Sequence, residues 1–230
     1  MDLAANIAKV QSSLESASEG RYPVPKLICV TKTHPAQDIL PLLPLGMTEI
    51  GENRVQEIRE KAPILNPEKT DPRFRIHLIG RLQTNKVKYI MHDVCLIQSL
   101  DRMELALEIN RQAEKAEKVM PCLVQVSPAG EPQKGGIAPE ALPAFLREVA
   151  QLPGISVRGL MAVMPDLGPC PALEQLFQNM RVLFEHVRDE AIPGIQMEEL
   201  SMGMSGDYLY AARHGATMVR VGSAIFGPRA

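Results

Sequence analysis

Apolar residues follow two different spacings along this chain, and the change between them predicts a regular succession of strands and helices. Short runs rich in branched residues, such as Leu27–Thr31, are typical of buried strands. Between these runs, apolar residues recur every three or four positions, which indicates amphipathic helices. The first helical face is formed by Leu3, Ile7, Val10 and Leu14. One helix is therefore expected in front of the first strand.

Eight strands are predicted in this way, and each is followed by a helical segment. They cover residues 27–31, 47–50, 74–79, 94–97, 119–126, 155–164, 197–200 and 218–221. Strict alternation favours a parallel sheet, because parallel neighbours need a long crossover that is usually a helix. Eight units within 230 residues predict a single (β/α)8 TIM-type barrel domain over 1–230, with an extra N-terminal helix. The alternative is an open doubly wound sheet, although no glycine fingerprint opens the first helix.

Three local signals refine this pattern. Pro41 and Pro44 should kink or shorten the helix predicted over 36–45, because proline removes a helical hydrogen bond. Asp101 is a candidate N-cap for the helix after the fourth strand. Gly215 should close the helix after the seventh strand as a C-cap.

Composition argues against several classes of partner. The net charge of −2 and the ordinary 45% hydrophobic content give no reason to expect nucleic acid. No apolar run is long enough to cross a membrane, and residues 1–20 lack the features of a signal peptide. The cysteines, which have no CxxC spacing, predict reduced residues of a cytoplasmic protein and no zinc site. They are Cys29, Cys95, Cys122 and Cys170.

Candidate chemistry begins at Lys32, where the first predicted strand gives way to a loop. Ligands are held at the carboxyl ends of parallel strands in barrels and in open sheets. A partly desolvated lysine at such a position has an amine that can add to a carbonyl group. The alternative is a lysine whose stem packs on the strand while its ammonium group reaches water. The choice depends on whether other reactive groups reach the same rim.

Polar residues end several of the other predicted strands. They are Asn53 after the second, His77 in the third, Ser201 in the seventh, and Arg220, Gly222 and Ser223 in or after the eighth. The first and eighth strands are neighbours in a closed barrel, so Lys32 and Arg220 should lie close together. These residues therefore form a candidate site on one face of the barrel.

Two loops on this face have the features of a phosphate site. Gly222 and Ser223 offer backbone N–H groups and a hydroxyl at the start of a helical turn. The loop 201–205 contains a glycine that allows close approach of the backbone, and it would form a neighbouring wall. Each loop also has a simpler explanation, with Ser205 as a helix N-cap and Gly222 as a turn glycine.

Five sequence blocks resemble the signatures of the YggS/PROSC family of pyridoxal phosphate homeostasis proteins. The blocks are Val30–Pro35, Gly51–Glu57, His77–Lys86, Leu200–Asp207 and Val219–Gly227. They occur in order and span nearly the whole chain. This family resembles the barrel domain of alanine racemase and of fold-type III decarboxylases, but it lacks their second, β-rich domain. The resemblance therefore implies the same barrel that the hydrophobic pattern predicts.

The resemblance also implies a cofactor, pyridoxal 5′-phosphate (PLP), bound as a Schiff base on Lys32. It implies that Ser201, Gly222 and Ser223 hold the phosphate. The implied cofactor-binding residues are Lys32, Asn53, His77, Ser201, Arg220, Gly222 and Ser223, of which Arg220 would face the pyridine nitrogen and Asn53 would lie beside the ring. Lys134, in a glycine-rich loop, is either a second amine for transferring the cofactor or a solvated loop lysine.

A guanidinium at the pyridine nitrogen weakens the electron sink that PLP enzymes use, because arginine stays charged and accepts no hydrogen bond. The sequence also supplies no second base of the kind that racemases bring from another domain or subunit. The implied function is therefore to hold and exchange PLP and to regulate vitamin B6 and amino and keto acid homeostasis, with little or no catalysis.

Two enzymatic alternatives are a minimal PLP-dependent racemase-like enzyme and a Schiff-base aldolase on a phosphate-binding barrel. The expected partners are PLP itself and either PLP-dependent apoenzymes or a regulatory protein, without nucleic acid or membrane. A monomer is expected, with no catalytic residue and no metal.

Overall fold

The computed structural model describes residues 2–130 and 135–227 of the chain. Its eight strands are β1 Lys26–Val30, β2 Glu49–Glu52, β3 Arg75–Leu78, β4 Leu96–Leu100, β5 Met120–Val126, β6 Ile155–Ala162, β7 Ile195–Ser201 and β8 Met218–Val221. All pair in parallel and in sequential order, and β1 pairs with both β2 and β8, which closes the barrel. The predicted TIM-type barrel is therefore confirmed, and the open sheet is wrong.

Helices follow the strands and pack around them. They are α1 Leu3–Ser18, α2 Ala36–Ile39, α3 Val55–Leu65, α4 Met103–Lys115, α5 Leu142–Val149, α6 Pro171–Asp189, α7 Tyr208–Arg213 and α8 Ser223–Phe226. Short 3-10 helices cover Leu40–Leu45, Thr84–Tyr89 and Pro139–Ala141. The predicted N-terminal helix is α1, and its Asn6 side chain donates to the carbonyl of Ile225 at 2.8 Å, which ties it to α8.

Apolar side chains form two layers, as expected for a barrel whose strands are covered on both faces. The larger layer lies between the strands and the surrounding helices and includes Ile7, Phe74 and Phe177. The smaller layer fills the barrel interior and consists of Ile28, Leu96, Leu123, Met161 and Met218. In the ranges described, no helix is long and apolar enough to span a bilayer.

Two of the three local predictions are confirmed. The prolines do shorten the first helix after β1, because α2 stops at Ile39 and a 3-10 helix continues to Leu45. Gly215, with φ +72°, takes the left-handed conformation directly after His214, the C-cap residue of α7, and so closes the helix.

The predicted cap at Asp101 is wrong. The cap position of α4 is held by Arg102 without a side-chain hydrogen bond. The Asp101 carboxylate instead pairs with the guanidinium of Arg102 and lies 3.8 Å from that of Arg81.

Candidate functional site

A cavity of about 660 Å³ opens at the carboxyl ends of the strands. Loops after β1, β2, β3, β6, β7 and β8 form most of its wall. Five of the residues predicted from sequence line it, and they are Lys32, Asn53, Arg220, Gly222 and Ser223. Pairing of β1 with β8 places the lysine and the arginine on the same cavity.

The Lys32 turn is joined to its neighbours on both sides. The Thr31 N–H donates to the Gly51 carbonyl of β2 at 3.0 Å, and the His34 N–H closes the turn on the Thr31 carbonyl at 3.1 Å. The His34 ring stacks on Phe226 of α8, with ring centroids 4.4 Å apart. The turn that carries the candidate lysine is therefore packed against the loop region after β8.

Asn53 reaches the cavity directly after β2, and its backbone is held by close packing. A Cβ atom on Gly80, after β3, would lie 2.3 Å from the Asn53 carbonyl oxygen, well inside van der Waals contact. A side chain at position 80 would therefore push Asn53 away from its place on the cavity wall. Gly80, which lines the same cavity, is a site residue for a steric reason.

The turn after β8 is the candidate anion site. The Gly222 N–H donates to the hydroxyl of Ser205 at 3.1 Å. A Cβ atom on Gly222 would lie 3.3 Å from the Val30 carbonyl oxygen, so a larger side chain would crowd the strand that leads to Lys32. Ser205 and Gly206 also line the cavity, so the loop after β7 contributes Ser205 to the wall. Its hydroxyl in a loop rich in small residues was the sequence signal for this role.

Arg220 is almost fully buried, at 3% exposure, and lines the cavity from β8. Its guanidinium donates to the Ser201 hydroxyl and to the Ala162 carbonyl, both at 2.7 Å. Both of these acceptors are neutral, and the carboxylate of Asp207 on the same cavity wall acts on the guanidinium electrostatically while its Oδ1 accepts from the Met204 N–H. Burial lowers the pKa of Arg220 to about 10, which still leaves the group charged at neutral pH.

Ser201 and His77 lie deeper in the barrel interior than Arg220. Neither is among the described residues of the cavity wall. The Ser201 hydroxyl donates to Gln98 Oε1 at 2.6 Å, and Gln98 Nε2 lies 2.9 Å from His77 Nδ1. At the far end, His77 Nε2 lies 2.6 Å from Glu49 Oε2. These contacts form a polar column through the barrel interior, which we define as Arg220, Ser201, Gln98, His77 and Glu49.

Sequence reasoning missed Gln98 and Glu49. Gln98 is fully buried within β4, and a polar residue that extends a predicted apolar strand was the available signal. Glu49 begins β2 at the opposite end of the barrel from the cavity, where its carboxylate also pairs with Arg75. Both residues contact His77 from more than twenty positions away, which the parallel pairing of β3 with β2 and with β4 brings near.

The lower end of the column contains a cluster of Glu49, His77 and Cys95, whose polar atoms lie within 4.8 Å of one another. The 2.6 Å separation of His77 and Glu49 is that of a hydrogen bond and is too short for two ligands of one metal ion. Burial favours the neutral imidazole, but hydrogen bonds with Cys95 and Glu49 outweigh it and raise the pKa of His77 to about 9. The cluster is therefore best described as a buried ion pair.

All four cysteines are free. Burial raises the pKa of Cys29 to about 12 and also raises that of Cys122, so both stay protonated at neutral pH. The candidate second lysine, Lys134, lies outside the described residues.

Several known proteins are similar to this chain in sequence. Residues 2–230 match the family described as alanine racemase, N-terminal domain. A pyridoxal phosphate homeostasis protein of Aquifex aeolicus is 39% identical over 97% of this chain and 95% of its own length. One of Pasteurella multocida is 36% identical over 100% of this chain and 98% of its own.

Several solved structures are similar to this chain in fold. The structure of PipY from Synechococcus elongatus with PLP bound has a TM-score of 0.84 and 33% identity, over 98% of this chain and 100% of that one. PipY without PLP has a TM-score of 0.86 and 34% identity over the same shares. An alanine racemase of Clostridium difficile has a TM-score of 0.77 at 17% identity, and this chain covers 57% of its length. That last likeness is one of fold.

Proposed function

This chain belongs to the family of pyridoxal phosphate homeostasis proteins, which share the alanine racemase N-terminal domain, and we propose that it holds PLP on Lys32 and releases it again. The observation that carries the proposal is the cavity itself. It combines a lysine, a buried arginine and the Gly222–Ser223 turn on one wall. Through this binding the protein would regulate the supply of PLP and the balance of amino and keto acids.

The donor set fits each part of this cofactor. Arg220 offers N–H donors to a ring nitrogen that must accept, and the Gly222 turn with Ser205 and Ser223 offers N–H and hydroxyl donors to a phosphate. When bound, PLP supplies an aldehyde that condenses with a primary amine as water leaves, and a ring that can withdraw electrons. Lys32 is the lysine that lines the described wall.

We propose that Ser201 and His77 act on the cofactor site by positioning Arg220. Ser201 accepts from the guanidinium at 2.7 Å and is itself fixed by Gln98, so it orients the donor that meets the ring. His77 contacts Gln98 on the side that faces away from Ser201. Asn53, held in place by Gly80, would lie beside the ring. We therefore keep both buried residues in the cofactor site as residues that position Arg220.

We infer that catalysis is weak. A guanidinium donates hydrogen bonds but cannot accept one, so a ring nitrogen bonded to Arg220 would remain unprotonated and withdraw few electrons. We further propose that the chain acts as one binding unit, as a monomer, and that PLP-dependent apoenzymes or a regulatory protein are its partners. The alternative is weak racemase-type activity, since the same barrel occurs in an alanine racemase.

Titration of the purified protein with PLP, followed by borohydride reduction and peptide mapping, tests the proposal. We expect one reduced adduct on Lys32, which the variant Lys32→Ala loses. Lys86→Ala is the matched control, because Lys86 is exposed and lies in a neighbouring pocket that shares Asn53 with the cavity. A main adduct on another lysine in the wild type would contradict the assignment.

A further inference from the structure

A buried lysine lies directly behind the turn that carries Lys32. Lys61, on α3, is 7% exposed, and its ammonium group donates three hydrogen bonds. It contacts Glu52 Oε1 at 2.7 Å, Glu57 Oε2 at 2.9 Å and the Thr31 carbonyl at 2.9 Å. An ammonium group has three donors, so this arrangement uses all of them. One of the three acceptors belongs to the backbone immediately before Lys32.

The carboxylates of Glu52 and Glu57 also bind the residues on either side of Lys32. Glu52 Oε1 also accepts from the Thr31 hydroxyl at 2.6 Å. Glu57 Oε2 also accepts from the Thr33 N–H at 2.6 Å. The residues before and after Lys32 are therefore bound to the same cluster, which we call the lysine clamp and define as Lys61, Glu52 and Glu57.

Thr33 shows why such a clamp is needed. Its φ of +70° is in the left-handed region, which a β-branched residue rarely adopts. Strained backbone of this kind persists only where the surrounding structure enforces it, and it is concentrated at functional sites. The Thr33 side chain is exposed, so its own packing holds it little, and the hydrogen bond of its N–H to Glu57 constrains the turn from one side. On the other side, His34 stacks on Phe226.

We propose that Lys61 and Glu57 are positioning residues that hold the Thr31–His34 turn in its strained form and so direct the Lys32 amine into the cavity. The proposal rests on the proposed function, because it gives Lys32 its role. The spacing supports it, since Glu57 and Lys61 lie one turn apart on the same face of α3. Through the Thr31 carbonyl and the Thr33 N–H, this ion pair is joined to the backbone on both sides of Lys32.

Glu57→Ala is the first test variant, because Glu57 is only half-buried and its loss should leave the barrel folded. Glu60→Ala is the matched control on the same helix, where the exposed carboxylate accepts from the exposed Gln56 and not from the turn. The third variant adds Thr33→Gly to Glu57→Ala, because glycine adopts positive φ without help. All are compared with wild type at temperatures where their thermal unfolding curves show a folded protein.

Two measurements are made on each variant. The first is hydrogen exchange of the Thr33 amide without any cofactor. We expect Glu57→Ala to accelerate it by about tenfold or more, since the amide loses its acceptor. The second is the rate at which PLP forms the borohydride-reducible adduct on Lys32. We expect Glu57→Ala to slow it by about tenfold or more, because small displacements of a reacting group have large effects on rate.

Rescue separates positioning from general stability. We expect Thr33→Gly, in the Glu57→Ala background, to restore most of the adduct rate while exchange of the residue 33 amide stays fast. Glu60→Ala should leave both rates within about twofold of wild type, as exposed substitutions usually do. A Glu57→Ala variant with wild-type adduct rate, or a slow variant that glycine does not rescue, would overturn the proposal.

The two proposals fail in different ways. If wild type forms no adduct on Lys32, the proposed function is rejected, and the exchange measurement still decides the clamp. Unchanged exchange of the Thr33 amide in Glu57→Ala rejects the clamp even where PLP binds normally.

Discussion

The buried ion pair at the lower end of the polar column makes stability depend on pH. His77 is 1% exposed, and its ring lies 2.6 Å from Glu49. Hydrogen bonds to Cys95 and Glu49 outweigh the effect of burial and raise the pKa of His77 from 6.5 to about 9. Burial acts against ionisation of Glu49 as well, but its contacts with His77 keep its pKa below the ordinary value. The pair is therefore charged at neutral pH.

The sign and size of the effect follow from the two pKa values of His77. A group whose pKa is higher in the folded state stabilises that state fully below its unfolded pKa, and the contribution is lost as pH rises through the folded pKa. The difference between 6.5 and about 9, at about 1.4 kcal/mol per pH unit, gives at most about 3.5 kcal/mol. The free energy of unfolding should therefore fall as pH increases from 6.5 to above 9.

Urea denaturation at several pH values across this window measures the effect. His77→Gln removes the titrating group but keeps a hydrogen-bonding side chain, and His92→Gln is the control at an exposed histidine. We expect wild type and His92→Gln to lose stability together with rising pH, and His77→Gln to lose markedly less. If the curves of wild type and His77→Gln run parallel over the window, the charged pair at Glu49 is refuted.

Three further predictions concern the cavity. Gly80→Ala should displace Asn53 and weaken PLP binding, because the new Cβ would lie 2.3 Å from a backbone oxygen; equilibrium titration against wild type measures this. Gly222→Val should weaken PLP more than phosphate-free pyridoxal, and equal affinity of wild type for the two compounds would argue against the phosphate turn. With L-alanine and bound PLP, chiral chromatography should show almost no D-alanine; steady racemisation at about 1 s⁻¹ or faster would favour the enzyme.

The barrel could be predicted from sequence because its strands and helices differ so clearly in hydrophobic period. Predicted and observed strand ends differ by no more than three residues, the largest difference being at β4, which runs to Leu100 beyond the predicted end at residue 97. The missed cap at Asp101 has a physical reason. A carboxylate can serve a helix end or an arginine, and here Arg81 and Arg102 compete successfully for it.

The site was predicted only in part. Lys32, Asn53 and the Gly222–Ser223 turn reach the cavity because parallel strands bring their carboxyl ends to one face. How deep a side chain lies within the barrel could not be predicted, because depth depends on the tilt of each strand and on which side chains fill the interior. Ser201 ends β7, yet its side chain is fully buried below the wall. The lysine clamp was missed because an i, i+4 pair of Glu and Lys usually marks an exposed helix face.

The polar column shows how this barrel keeps a buried arginine that donates its hydrogen bonds to neutral groups, Ser201 and the Ala162 carbonyl. An isolated buried charge is costly, and it is usually paired directly. Here Glu49 lies at the other mouth of the barrel, and Asp207 on the cavity wall stabilises the charge of Arg220 electrostatically while its Oδ1 accepts from the Met204 N–H.

Ser201, Gln98 and His77 connect these two ends by hydrogen bonds. When His77 is charged, both of its ring nitrogens donate, so Gln98 then presents its amide oxygen to Nδ1 and its amino group to Ser201. A carboxylate next to Arg220 would satisfy the same charge but would occupy the donors that face the cavity. Because Asp207 is hydrogen-bonded within its own loop and the guanidinium has five N–H donors, Arg220 can still donate to a ring nitrogen, and this is the property that the proposed function requires.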